Sequence, residues 1–76
     1  MNRIRRNNLR AIIESLEELM AQLEELKGEE EEYLGNMPEN LTNSERYEIA
    51  EEAISNMEEA ISNMEDAISY IEVATA

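Results

Sequence analysis

The sequence predicts an all-α antiparallel two-helix hairpin of the coiled-coil type, on three observations. Apolar residues recur in alternating steps of three and four along two long segments, which is helical spacing. A stretch holding Gly35 and Pro38 separates those segments. The 76 residues include no Cys and no His, so neither a disulfide nor a zinc site can staple so small a domain. Self-association is the expected supplement, as a dimeric four-helix bundle or a larger oligomer.

The first helix is expected over about 2–34. Leu9, Ile12, Leu16, Leu19, Leu23 and Leu26 fall at a and d positions of a heptad, and Glu30 and Tyr33 continue the count. Gly28 lies inside this run at a cost of about 1 kcal/mol relative to Ala, so a soft or bent layer is expected near Glu30. Gly35 is read as the left-handed residue that ends the helix, and Pro38 blocks continuation.

A loop over 35–42 is expected next, then a second helix over about 43–74. Thr42-Asn43-Ser44-Glu45 marks its start: Thr42 and Glu45 can form a capping box, and Asn43 or Ser44 can cap instead. Its seam reads Tyr47, Ala50, Ile54, Met57, Ile61, Met64, Ile68 and Ile71. The run Ala53-Ile54-Ser55-Asn56-Met57-Glu58-Glu59 recurs almost unchanged from Ala60 to Asp66, and a period of seven is a heptad rather than a solenoid unit.

Antiparallel a-to-d pairing gives facing residues a constant index sum. Leu9 with Ile71, Ile12 with Ile68, Leu16 with Met64, Leu19 with Ile61, Leu23 with Met57 and Leu26 with Ile54 share the sum 80, which centres the turn on Asn40. Tyr33 and Tyr47 close the loop end. Met20, Met37, Met57 and Met64 are read as core filler. Each helix has further apolar residues beside this seam: Ile13, Met20 and Leu34 at e in the first, and Ala53, Ala60, Ala67 and Ala74 at g in the second. These shoulders are expected to face opposite sides of the hairpin. Ile13, Met20, Ala53, Ala60 and Ala67 are the candidate self-association residues, large side chains fitting alanine grooves on a second copy.

Composition narrows the function. Without His or Cys the usual general base, nucleophile and zinc ligands are missing, and a lone Asp leaves no Asp-rich calcium loop; no enzyme, cofactor or metal is expected. No apolar run is long enough to span a bilayer and no export signal is recognised, so a soluble, cytoplasmic protein is expected.

Charge is the remaining signal. The 19 acidic and 6 basic residues give a net charge of −13, beyond the ~2–8 that solubility asks of a small domain. Glu51-Glu52, Glu58-Glu59 and Glu65-Asp66 repeat once per heptad, and Glu17-Glu18, Glu24-Glu25 and Glu29 to Glu32 accompany them in the first helix. A solvated face is one reading of these rows. The other is a carboxylate rail that imitates nucleic-acid phosphate and occupies a basic protein surface. Glu51, Glu52, Glu58, Glu59, Glu65, Asp66 and Tyr70 are the candidate partner-binding residues. Arg3, Arg5, Arg6 and Arg10 form a basic arm. Such cations oppose the dipole of their own helix and suit the carbonyl end of the second; no aromatic residue accompanies them, and direct duplex binding is not expected.

The segment Gly35 to Ile61, chiefly its Asn36-Met37-Pro38-Glu39-Asn40-Leu41 turn and Arg46-Tyr47, resembles a family of short acidic helical-hairpin proteins of phages and Gram-positive mobile elements. That resemblance implies a setting, not a catalytic site. Small acidic phage proteins include inhibitors of host defence, anti-CRISPR proteins among them, that bind an effector where nucleic acid should go. The leading expectation is therefore an anti-defence inhibitor acting on a basic protein partner such as a host defence nuclease complex. The alternatives are a structural homo-oligomer with charge for solubility, and a small regulator or nucleotide binder using the arginine cluster.

Overall fold

A computed structural model describes residues 1–41 and 44–76. It consists of helix α1 (Arg3–Gly35) and helix α2 (Glu45–Thr75), connected through a single 3₁₀ turn at Glu39–Leu41. The helices pack against each other as an antiparallel hairpin measuring 59 × 15 × 12 Å. Its radius of gyration is 17.4 Å, where a compact chain of this length would have about 11 Å. The molecule is a rod with one seam.

Local chemistry sets the helix ends. Asn2 caps α1, its Oδ1 accepting the Arg5 backbone N–H at 2.8 Å. At the other end Asn36 N–H donates to the Glu32 carbonyl and Met37 N–H to that of Leu34, giving two carbonyls of the last turn their partners without a left-handed residue. Gly35 consequently stays helical, and no described glycine has positive φ, contrary to the reading of Gly35 as a left-handed terminator. Gly28 likewise leaves α1 unbroken.

Ser44 caps α2. Its Oγ accepts the Tyr47 N–H at 3.3 Å and donates to the Leu41 carbonyl at 2.6 Å, tying the cap to the 3₁₀ turn. Ser44 is one of the start signals in the sequence. The expected Thr42 end of a capping box lies outside the described residues. Glu45 and Glu48 in the first turn suit the positive end of the helix dipole.

The seam of α2 is the expected one: Ala50, Ile61 and Ile68 are buried, and Tyr47, Ile54, Met57, Met64 and Ile71 are half-buried. The seam of α1 is not. Leu9, Ile13, Leu16, Met20, Leu23, Lys27, Glu30 and Leu34 point inward, which are a and e positions, whereas the expected d residues Ile12, Leu19, Leu26 and Tyr33 are 47–56% exposed. Alternating steps of three and four describe both rows, so spacing alone does not choose between them. The inward rows of the two helices now match at an index sum of 84: Leu9 with Thr75, Ile13 with Ile71, Leu16 with Ile68, Met20 with Met64, Leu23 with Ile61, Leu34 with Ala50.

Two features accompany this rotation. Lys27 lays its stem along the seam and brings Nζ to 3.7 Å from Glu58 Oε1. Leu34, Met37 and Leu41 continue the half-buried row into the connection. Ile13 and Met20, expected to meet a second copy, are instead part of the hairpin's own interior. That interior is thin: Ile13, Ala50, Ile61 and Ile68 reach burial, and among the described residues no side chain is fully enclosed.

Candidate functional site

Helical geometry turns this seam into two unlike flanks. Successive residues rotate by about 100°, so on α1 the d row lies about 80° to one side of the seam and the b row about 80° to the other. On α2 the g and e rows occupy the equivalent places. Contacts fix which rows share a side. Tyr33 borders one open groove with Arg46, Ile49 and Ala53, and Glu30 and Glu45 line its loop end. Glu31 borders another with Glu51 and Glu58, and Glu24 shares a third with Lys27, Glu58 and Glu65.

One flank is therefore acidic. Its α1 row is Glu17, Glu24 and Glu31, with Arg3 and Arg10 continuing it toward the N-terminal end, and its α2 row is Glu51, Glu58, Glu65 and Glu72, all exposed. Helix axes in contact lie about 8–10 Å apart and a heptad rises about 10.5 Å, so the rows form a ladder of carboxylates with rungs and rails of similar spacing. Lys27 stands between them, half-buried, paired to Glu58. Such an exposed pair contributes about 0–1 kcal/mol and leaves the field of the flank strongly negative.

The opposite flank carries the d row Arg5, Ile12, Leu19, Leu26 and Tyr33 beside the g row Arg46, Ala53, Ala60, Ala67 and Ala74. Neither row contains an acid. The shoulders expected on opposite sides of the hairpin thus give way to two apolar rows on the same side, because α1 is rotated.

Of the residues singled out in the sequence, Glu51, Glu58 and Glu65 lie on the acidic flank. Glu52, Glu59 and Asp66 are exposed on the outer side of α2. Tyr70, 77% exposed, is one turn beyond Asp66 and toward the apolar side, apart from Glu51, Glu58 and Glu65. Ala53, Ala60 and Ala67 are half-buried beside the seam, with Ile13 and Met20 inside it. The glutamates of α1 complete the ladder and were no part of the candidate set. Their heptad spacing was visible, but their side of the hairpin depended on the seam.

Arg3, Arg5 and Arg10 are exposed, and Arg6 is half-buried in line with Leu9, its Nε buried without a hydrogen-bond partner. Arg10 donates to Asn7 Oδ1 at 3.4 Å. Among the described residues the four arginines form no ion pair. Nor, among those residues, does any set of three acidic side chains converge as a metal site, and no helix is long and apolar enough to cross a membrane. No protein-family model, curated protein or solved structure matches the chain.

Proposed function

We propose that the chain is a non-catalytic, cytoplasmic interaction module whose acidic flank binds the basic surface of a nucleic-acid-binding protein. One observation carries this reading: glutamates of both helices form a two-row ladder on one flank, while the opposite rows hold no acid. A rod of carboxylates presents the potential of a phosphate backbone without its atomic spacing, and it competes for the same cationic channel. The resemblance to acidic phage hairpins supplies the setting, an anti-defence factor directed at a host nuclease complex. Retention of basic proteins on the immobilised chain tests this. Basic nucleic-acid-binding proteins should be retained, be displaced by duplex DNA, and elute as salt rises. The combined Glu24→Lys, Glu51→Lys and Glu65→Lys variant should retain none while keeping its helicity. Retention that is indifferent to DNA, or unchanged in the variant, would overturn the proposal.

A further inference from the structure

We infer that the flank carrying the Ile12, Leu19, Leu26 and Tyr33 ridge is covered by a second copy of this chain, in a dimer whose two-fold axis runs along the hairpin so that both connections lie at the same end.

The surface area leaves room for a partner of this size. The chain exposes 5821 Å², where a compact monomer of 8.8 kDa would expose about 4,800 Å². The excess, about 1,000 Å², is close to the roughly 800 Å² each partner contributes to a stable interface. Among the described residues, five of the nine exposed large apolar side chains lie together on this flank, while Met1, Ile4, Tyr70 and Val73 lie outside the ridge. Ile12, Leu19, Leu26 and Tyr33 form a ridge with one residue per heptad, and Ile49 lies in the groove beside Tyr33. Given two rows that could have faced α2, α1 turns inward the one containing Lys27 and leaves outward the one that is uncharged from Ile12 to Tyr33.

Charge selects the face. A second copy also carries −13, so it approaches where acids are fewest. The ridge and the alanine row have no acid, and Asn8, Ser15, Gln22, Asn56 and Asn63 edge them with exposed neutral groups, acids entering only at the loop end with Glu29, Glu30 and Glu45. An apolar centre with a polar rim has the anatomy of a subunit interface.

Shape selects the axis. With inward rows matched at an index sum of 84, Ile12, Leu19, Leu26 and Tyr33 stand within two residues, about 3 Å, of the levels of Ala74, Ala67, Ala60 and Ala53. Rotation about the long axis lays α1 of one copy over α2 of the other, so the ridge enters the alanine row twice, once from each copy. Rotation about a perpendicular axis would set ridge on ridge. In the resulting four-helix bundle every helix is antiparallel to its neighbours, and the two acidic ladders face outward on opposite sides.

Because the chain lacks cysteine, single thiols report this geometry in otherwise native protein. Equilibrium sedimentation should give twice 8.8 kDa, and Leu26→Glu should lower the association constant by about tenfold or more. Upon oxidation, Leu19→Cys protein mixed with Ala67→Cys protein should form the mixed disulfide in preference to either homodimer. A monomer at 100 μM of native chain would overturn the inference, as would preferential pairing of Leu19→Cys with itself, which reports ridge on ridge. Since the acidic ladder is on the other flank, these outcomes are separate from those that test partner binding.

Discussion

The two flanks of the hairpin are built from the same heptad and the same pair of helices, yet one presents rows of glutamates and the other rows of leucine, isoleucine and alanine. A 100° step around a helix is enough to make that difference. The b row of α1 and the e row of α2 meet as Glu17, Glu24, Glu31 against Glu51, Glu58, Glu65; the d row and the g row meet as Ile12, Leu19, Leu26 against Ala53, Ala60, Ala67. What separates them is the seam, and the seam is chosen by which of two neighbouring rows on α1 turns inward. A sequence with so much apolar surface on one helix specifies its secondary structure strongly and its rotation weakly.

The sharpest way to break the comparison is to truncate neighbours that lie on its two sides. Ile13, 9% exposed, lies in the seam, while Ile12, 48% exposed, lies on the flank. Ile13→Ala should lose about 2–5 kcal/mol of stability in denaturant titration, enough to unfold much of the population at room temperature. Ile12→Ala should lose little at high dilution, and more as protein concentration rises, because its burial depends on the second copy. Equal losses at every concentration would show that the flank assignment is wrong.

Next in size is electrostatic. Replacing Glu24, Glu51 and Glu65 by Gln removes three negative charges from the ladder without altering the seam. Affinity for a basic protein should fall by about tenfold or more in 50 mM salt, and by much less in 500 mM, where the Debye length is short. The same substitutions should leave the dimer's mass unchanged. A dimer that weakens along with partner binding would mean that the flanks are not independent.

Two smaller effects sharpen the account of how the hairpin is held. Ser44→Ala removes the acceptor for Tyr47 N–H and the link to the Leu41 carbonyl. It should cost about 1 kcal/mol, seen as a lower Tm. Gly28→Ala should do the opposite. A methyl group there meets nothing within 4 Å, and the helix interior gains up to about 1 kcal/mol, raising Tm by a few degrees. A fall in Tm would mean that α1 needs a flexible point which its unbroken course does not show.

How far the fold could be read in advance follows from these same residues. In α2 the apolar rows are a and d, and the only apolar shoulder is alanine; one seam is available, and Ile61 and Ile68 occupy it. In α1 the a, d and e rows are all largely apolar, so Ile12 and Ile13 were equally eligible by spacing, and the choice depended on how α2 and the connection receive them. The connection was legible in outline, since Pro38 must interrupt a helix. Its details were not, because backbone groups of Asn36 and Met37 complete the last turn of α1, and the sequence marks that job no more clearly than it marks Gly35 for another. The acidic residues of α2 were recognisable by repetition alone. Their counterparts in α1 became part of a site only after the rotation of that helix was known.

The rotation of α1 is the claim on which both flanks rest, and it is measured most directly by methyl–methyl nuclear Overhauser contacts within one chain. The isoleucine methyls of Ile13 should show strong contacts to Ile68 and Ile71, with none from Ile12 to either. Strong contacts from Ile12 to Ile68, at the index sum of 80, would restore the a-to-d seam and dissolve the division between the two flanks.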